Sequence, residues 1–92
     1  MLTIEFSGQF KKDFRLAMKR GCNPKKLTDV IELLQNETPL PSKYKDHPLT
    51  DSRKYKNVRE CHIEPDWLLV YQIKSDTLIL RLLRTGTHSD LF

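Results

Sequence analysis

The stretch His62-Ile63-Glu64-Pro65-Asp66-Trp67, followed by Leu68-Leu69-Val70-Tyr71-Gln72-Ile73, decides the fold of this chain. It predicts the end of one strand, a tight turn at Pro65, and a second strand that is apolar on both faces apart from Gln72, as in the centre of a sheet. The turn also gathers an imidazole, two carboxylates and an indole within a few positions. We therefore expect the core of the sheet and the functional site to meet here.

Three further strands complete the predicted sheet. Alternating apolar and polar residues indicate strands at Leu2–Phe6, Val58–Ile63 and Thr77–Leu83, in addition to Trp67–Ile73. Along Val58–Ile63 the alternation places Glu60 and His62 on one face and Cys61 on the other. After Leu83 the chain is expected to leave the sheet.

Two amphipathic helices are predicted between the first and second strands. Ser7 is a suitable N-cap for the first helix, Gly21 is placed to end it in the left-handed conformation, and Asn23-Pro24 begins the second. One apolar stripe lies on each helix: Phe10, Phe14, Ala17 and Met18, then Leu27, Val30, Ile31 and Leu34. The predicted fold is α+β, in the order β-α-α-β-β-β, with a helical hairpin on one face of a mainly antiparallel four-stranded sheet. Residues 1–92 are expected to form one domain.

Regular patterning stops between Glu37 and Asn57. This segment contains three prolines and five basic residues, and unstructured loops of this length are uncommon in compact domains unless they serve a function. We interpret it as a functional arm that lies on the surface of the domain. The three prolines are Pro39, Pro41 and Pro48, and the five basic residues are Lys43, Lys45, Arg53, Lys54 and Lys56.

Composition narrows the class of protein. The 92 residues carry 16 Lys and Arg against 12 Asp and Glu, a net charge of +4, which favours a polyanionic partner such as nucleic acid or an acidic protein. The apolar run Trp67–Ile73 is too short for a membrane span, and the N-terminus lacks the pattern of a signal peptide. Cys22 and Cys61 have no metal-ligand spacing and are expected to be reduced thiols of a cytosolic protein.

The three histidines form the candidate acid–base site. Each alone is more often a solvated surface residue, but the turn holds His62 near Asp66, His88 can fold back over the same end of the sheet, and the arm can deliver His47. Imidazoles that titrate near neutral pH beside a carboxylate suit general acid–base catalysis.

Arginines could bind a phosphate at this site. Arg59, Arg81 and Arg84 are the candidates. Strict alternation puts Arg84 on the face of Leu82 and Arg81 on the other. Either the strand ends or bulges before Arg84, or Arg81 is the better phosphate ligand.

Three segments carry a resemblance to a known family, and the likeness begins at Phe6-Ser7-Gly8-Gln9-Phe10-Lys11-Lys12-Asp13 and runs nearly the whole length. The segments are Lys45-Asp46-His47-Pro48-Leu49, Arg59-Glu60-Cys61-His62-Ile63-Glu64-Pro65-Asp66-Trp67-Leu68-Leu69-Val70-Tyr71 and Arg84-Thr85-Gly86-Thr87-His88-Ser89-Asp90-Leu91-Phe92. Together they resemble the YafQ branch of the RelE/ParE toxin superfamily.

The resemblance implies a toxin of a type II toxin–antitoxin system, a metal-independent endoribonuclease that cuts mRNA in the ribosomal A site without a cofactor. It also implies a ribbon-helix-helix antitoxin of the DinJ/RelB type, encoded next door, that wraps the toxin. The toxin alone is expected to be monomeric, and its complex with the antitoxin heterotetrameric.

By motif position, the resemblance implies that His47, His62, Asp66 and His88 are the catalytic residues. It implies that Phe92 positions the RNA and that Arg84 lies beside the site; Lys45, Arg59 and Arg81 are added as candidate substrate-binding residues. RNA supplies its own nucleophile, the 2′-hydroxyl, so the protein needs a base, an acid and cations. We expect His88 to be the acid, Asp66 or His47 the base, and His62 to orient its neighbours or stabilise the phosphate; Phe92 offers a ring for base stacking.

Three other readings remain open. The chain could be a ParE-like toxin that binds a target such as gyrase without cleaving RNA, although the histidine cluster disfavours this. His47, His62, His88 and Asp66 could instead bind a metal ion, although no compact ligand spacing supports such a site. The chain could also be a non-catalytic basic nucleic-acid-binding domain.

Overall fold

A five-stranded sheet with helices on one face organises the molecule. The computed structural model describes residues 1–49 and 57–91. Its elements are β1 (Thr3–Phe6), α1 (Gly8–Lys19), α2 (Pro24–Gln35), the 3₁₀ turn η1 (Ser42–Tyr44), β2 (His47–Pro48), β3 (Val58–Glu64), β4 (Trp67–Lys74), β5 (Ile79–Gly86) and α3 (His88–Leu91). Phe92 and the arm residues Arg53, Lys54 and Lys56 lie outside the described residues.

The strand order β1-β5-β4-β3-β2 confirms a mainly antiparallel sheet, since only β1 and β5 pair in parallel among the described residues. The predicted number of four strands is wrong by one. β2 is the additional strand, in the arm: His47 pairs with Glu60, Pro48 pairs with Arg59, and the Leu49 N–H donates to the Val58 carbonyl at 2.8 Å. A strand of two residues is too short to produce a periodic pattern in the sequence, so β2 could not be predicted from the sequence of the arm.

β5 is longer at its C-terminal end than the sequence predicted. It ends at Gly86 rather than Leu83, so the expectation that Arg84, Thr85 and Gly86 leave the sheet is wrong. Opposite β4, Arg84 pairs with Val70 and Leu82 pairs with Tyr71, which makes Leu83 the extra residue of a β-bulge. The bulge breaks the strict alternation between Leu82 and Arg84, one of the two alternatives left open by the sequence.

The helix termini follow the sequence signals. The Ser7 Oγ accepts the Phe10 N–H at 2.9 Å, and the Asn23 Oδ1 accepts the Lys25 N–H at 3.0 Å, so both predicted N-caps are confirmed. Gly21 has a φ of +84°, the left-handed conformation predicted for the end of α1.

Each face of the sheet has its own apolar cluster. Side chains of α1 and α2 pack on the larger cluster, which includes Trp67, Leu69 and Tyr71 of β4. On the opposite face, which we call the open face, Val58, Val70 and Leu83 form a smaller cluster with Leu49 and Leu91 packed against it. The two long helices, α1 and α2, therefore cover one face and leave most of the other available for a site. No helix within residues 1–49 and 57–91 is long and apolar enough to cross a membrane.

The two cysteines differ in accessibility, which yields a first test of the fold. Both are free thiols; Cys22 is half-buried, whereas Cys61 is fully buried, and this burial raises the pKa of its thiol to about 12. A thiol reagent at pH 8 should therefore label at most one cysteine in the folded protein and both in denaturant, measured by absorbance. Cys22→Ser should remove the fast-reacting thiol. Rapid labelling of Cys61 in the folded protein would contradict this placement.

Candidate active site

His62 is the central member of a cluster of three histidine rings, His47, His62 and His88, which we call the histidine cluster. It lies near the end of β3, where alternation directs it to the open face together with Glu60. Its Nδ1 lies 3.4 Å from the carbonyl oxygen of Pro65, so the tight turn into β4 fixes one edge of the ring. Only 17% of its side chain is exposed, which makes it the least exposed ring of the three.

His47 reaches the site through the pairing of β2 with β3. Its ring centroid lies 6.4 Å from that of His62. Its Nδ1 lies 3.1 Å from the Pro48 carbonyl oxygen and its Nε2 lies 3.4 Å from Oε1 of Glu60. When protonated, the ring can donate to both oxygen atoms. The arm therefore delivers His47 to the cluster.

His88 arrives from the other side. It is the first residue of α3, and its ring centroid lies 5.8 Å from that of His62. Its Nδ1 lies 3.6 Å from Oδ1 of Asp66, and its backbone N–H donates to the same oxygen at 3.4 Å. Asp66 stands in the β3–β4 turn, so the turn holds His62 from one side and contacts His88 from the other. The structure thus brings together all four residues predicted to be catalytic.

Glu60 belongs to the site and was not predicted as a member. Its carboxylate is buried, and Oε1 lies 3.4 Å from Nε2 of His47 and 3.8 Å from Nε2 of His62. Strand alternation had already placed Glu60 on the face of His62. That signal could have identified it, because a carboxylate buried beneath two imidazoles is rarely there by chance.

Arg84 is engaged away from the histidines. Its Nε and Nη2 donate to the two carboxylate oxygens of Asp13 at 3.0 and 3.1 Å. Burial by itself would raise the pKa of Asp13, but hydrogen bonds from Arg84, Gln9 and the Thr85 N–H outweigh it and lower the pKa. Asp13, on the sheet-facing side of α1, is a buried charge that the apolar stripe did not reveal. A phosphate would have to compete with Asp13 for the two-pronged donor face of Arg84, and the phosphate role of this residue stays a prediction.

Arg59 lies on the face of the sheet opposite the histidine cluster. It pairs across the sheet with Tyr71, on the helix-covered face, whereas Glu60 and His62 face the other way. Its guanidinium donates to Asp46 at 3.1–3.3 Å, and the Tyr71 hydroxyl donates to the same carboxylate. Arg59 therefore ties the arm to the sheet, and its assignment as a substrate-binding residue stays a prediction.

The remaining candidates have different positions. Arg81 pairs with Gln72 in the row of Val58, and its Nε lies 3.4 Å from Oε1 of Glu5, so it is directed to the open face but toward β1. Lys45 follows η1 with a φ of +48° and lines a cavity of about 560 Å³ together with His62. Phe92, predicted to position RNA, lies outside the described residues.

One group in the cluster has the geometry of a metal site. His47, Glu60 and His62 each offer a ligand atom, and these atoms all lie within 4.8 Å of one another. Two imidazole nitrogens and a carboxylate oxygen suit zinc or copper. This set differs from the predicted one, in which His88 and Asp66 stood in place of Glu60.

The arrangement is suited to moving protons across a bound group. The outer rings, His47 and His88, flank His62 from opposite sides, and each has a carboxylate beside it. A proton acceptor and a proton donor on opposite sides of one group, with a third imidazole between them, are the parts that acid–base cleavage requires.

Comparison with known proteins decides the family. The model of a bacterial toxin family, YafQ of type II toxin–antitoxin systems, matches residues 2–92. The chain belongs to the YafQ family of toxins. The resemblance inferred from the motifs is therefore confirmed over almost the whole chain.

Relatives and solved structures agree with this assignment. An Escherichia coli protein named mRNA interferase toxin YafQ is 51% identical over 90 residues, which cover 97% of this chain and 94% of the relative. A metal-bound toxin from Helicobacter pylori is 51% identical, with a TM-score of 0.92 and full coverage of both chains. The E. coli DinJ–YafQ complex gives a TM-score of 0.89 at 48% identity, covering 100% of this chain and 99% of that one.

The ion pair between the buried Asp13 and the half-buried Arg84 predicts a pH-dependent stability. Because folding lowers the pKa of Asp13, its contribution is fully present above about pH 4 and is lost as the pH falls through the lowered value. Asp13→Asn should reduce the free energy of unfolding by about 1–3 kcal/mol at pH 7, since it leaves Arg84 without its charged partner.

Urea unfolding of both proteins at pH 7 and pH 3 measures this effect, and the difference between them should shrink at pH 3. Asp29→Asn is the matched control, because it removes a carboxylate from an exposed pair with Lys25. Equal stabilities of wild type and Asp13→Asn at pH 7 would contradict a stabilising role for the pair.

Proposed function

We propose that the chain is a ribosome-dependent endoribonuclease that cleaves mRNA by acid–base catalysis, with the RNA 2′-hydroxyl as nucleophile. The observation that carries the proposal is the histidine cluster, a row of three imidazoles across the open face, with Glu60 beneath His47 and His62 and Asp66 beside His88. The name of the E. coli relative, an mRNA interferase toxin, supports RNA as the substrate.

The reaction needs two proton transfers on opposite sides of one phosphate. His47 takes the proton of the 2′-hydroxyl, whose oxygen attacks phosphorus as the bond to the 5′-oxygen breaks. His88 gives its proton to the departing 5′-oxygen, and the products are a 2′,3′-cyclic phosphate and a 5′-hydroxyl. His62 lies between the two rings and stabilises the charge on the phosphate.

The positions of Asp66 and His47 relative to the other two histidines favour His47 as the base. Asp66 lies 3.6 Å from Nδ1 of His88, on the side of the acid, whereas His47 lies on the far side of His62. Asp66 then orients the imidazole of His88, and Glu60 does the same for His47 through its Nε2. This geometry separates donor and acceptor, as an in-line displacement requires.

Exposed lysines on α1 support an interaction with ribosomal RNA. Lys11, Lys12 and Lys19 are exposed on the outer side of the helix, and the chain carries a net charge of +4. Phosphate contacts of this kind release counterions and do not depend on base sequence. Such contacts are consistent with action on translating ribosomes in the cytoplasm.

An antitoxin is the second partner that we propose. The E. coli relative forms a complex with DinJ. An acidic antitoxin segment would find complementary charge on this basic chain and would block the open face if it lay across the histidine cluster.

His88→Gln tests the mechanism. The variant retains a polar side chain but cannot donate a proton from an imidazolium, so mRNA cleavage on translating ribosomes should slow by roughly 10²- to 10⁴-fold. The measurement is the rate of appearance of new RNA ends, mapped by primer extension, with circular dichroism as the check of folding. Asp76→Asn, in the exposed β4–β5 turn away from the cluster, should cleave at the wild-type rate.

Two outcomes would sink the proposal. Full cleavage activity in His88→Gln would remove His88 from the reaction. Growth arrest by the wild type without new RNA ends, but with loss of gyrase supercoiling activity, would favour the binding-only alternative. Omission of ribosomes from the same assay tests ribosome dependence, since free mRNA should then be cut far more slowly.

We further propose that a transition-metal ion inhibits this site. His47, Glu60 and His62 fit such an ion, and the H. pylori relative is described as metal-bound. An ion held by His47, Glu60 and His62 would immobilise two of the rings that the reaction uses and would occupy space beside the phosphate. The metal is therefore an inhibitor here, whereas the cleavage reaction proceeds without it.

Zinc titration separates these two roles. Added Zn²⁺ should bind with 1:1 stoichiometry by calorimetry and stop cleavage, and a zinc-selective chelator that spares ribosomal Mg²⁺ should restore the full rate. Glu60→Gln should weaken Zn²⁺ binding roughly tenfold or more, whereas Glu64→Gln on the same strand should not. Loss of activity on chelation alone would contradict a metal-independent mechanism.

A further inference from the structure

The short helix α3 carries His88 but is too short to hold its own shape. It has four residues, and an isolated helix of one turn is not stable in water. The position of His88 must therefore be set by the contacts that α3 makes with the rest of the fold. Leu91 packs the end of α3 against the smaller apolar cluster, whereas His88 and Ser89 at its start are exposed, so apolar packing does not by itself fix the start of the helix.

A capping box closes the start of α3. The Asp90 carboxylate accepts the Thr87 N–H at 3.0 Å, and the Thr87 Oγ1 accepts the Asp90 N–H at 3.2 Å. This reciprocal pair satisfies two backbone donors that a helix start leaves free. It also spans His88, which lies between the two capping residues.

Asp90 is at the same time bound to the far end of α1. The Arg20 guanidinium donates to both carboxylate oxygens of Asp90, at 2.5 and 3.2 Å, across 70 positions of sequence. A two-pronged contact fixes orientation as well as distance, which a single ammonium contact does not. The guanidinium of Arg20, followed by the Thr87 N–H, keeps the pKa of Asp90 well below its ordinary range.

The backbone leading into α3 is fitted around the same carboxylate. Gly86 has a φ of +154°, and a Cβ on it would lie 2.9 Å from Oδ2 and 3.1 Å from Cβ of Asp90. Any side chain at Gly86 would push Asp90 away from Arg20. The sequence Gly86-Thr87-His88-Ser89-Asp90 is therefore a connection whose shape depends on one acidic side chain.

We infer that Arg20 and Asp90 are positioning residues for His88. Their ion pair, which we call the α1–α3 latch, holds α3 so that the His88 ring stays 3.6 Å from Asp66 and 5.8 Å between centroids from His62. The effect of the latch on catalysis rests on the proposed function. Its effect on the position of the His88 ring does not depend on that function.

The latch differs from an ordinary surface ion pair in what it controls. The Arg20 side chain is 45% exposed and that of Asp90 23%, so its contribution to global stability is small. Local opening of a terminal helix, however, needs far less free energy than global unfolding. Loss of the latch should therefore misplace His88 without unfolding the protein.

Kinetics of three variants test the inference. Arg20→Ala should lower kcat for ribosomal mRNA cleavage roughly 10- to 100-fold with little change in KM, because a displaced acid slows the chemical step and leaves binding intact. Arg20→Lys should recover part of the rate, since it keeps the charge but not the two-pronged contact. Lys25→Ala, which breaks the exposed ion pair between Lys25 and Asp29 on α2, is the matched control and should keep the wild-type kcat.

Histidine NMR of the free protein supplies a readout that needs no activity. In Arg20→Ala and Asp90→Asn the ring resonances of His88 should shift, whereas those of His47 and His62 should stay close to wild type. An unchanged His88 signal with unchanged kcat would overturn the latch. Shifted His88 signals in a chain whose wild type cuts no mRNA would overturn the proposed function and leave the positioning role intact.

Discussion

The carboxylate of Asp13 is the constraint on which the working end of the sheet depends. β1 pairs with β5 only as far as Leu82, and beyond that point no strand of residues 1–49 or 57–91 lies beside the outer edge of β5. Asp13 accepts the Thr85 N–H there at 3.2 Å, and the Ser7 hydroxyl donates to the Leu83 carbonyl at 2.7 Å. Side chains of α1 and its cap thus replace the missing strand.

That replacement decides where His88 lies. With its edge satisfied, β5 continues through Arg84 and Thr85 to Gly86, and α3 begins two residues later. Trp67 reinforces the extension, because its indole N–H donates to the Thr85 hydroxyl at 2.9 Å, which in turn donates to the Leu68 carbonyl. Had the strand ended at Leu83, His88 would start from a different point of the sheet. The site therefore depends on the contact between Asp13 of α1 and Thr85 of β5, which lie 72 positions apart in the sequence.

The sequence predicted the fold well and the partners of its charges poorly. Caps and apolar stripes located α1 and α2, and strand alternation put Glu60 and His62 on one face, because these signals are local and periodic. The pairing of Arg84 with Asp13 spans 71 positions and follows from a bulge at Leu83, which no local pattern records. Arginines therefore appeared available for phosphate when they are bound within the fold, and Glu60 was overlooked because alternation gives a face but not a neighbour.

The three histidines differ in how strongly the fold fixes their side chains. A change can therefore alter catalysis without altering the stability of the fold. His62 sits in a seven-residue strand between two others, with little of its side chain exposed. His47 stands in a two-residue edge strand and His88 in a four-residue helix, and about half of each side chain is exposed. Burial of the apolar clusters stabilises the sheet that carries His62, whereas the segments of His47 and His88 are each joined to the smaller cluster by one partly buried side chain, Leu49 and Leu91. The positions of the outer rings therefore rest on that side chain and a few polar contacts each, so the geometry of proton transfer can change while the fold remains intact.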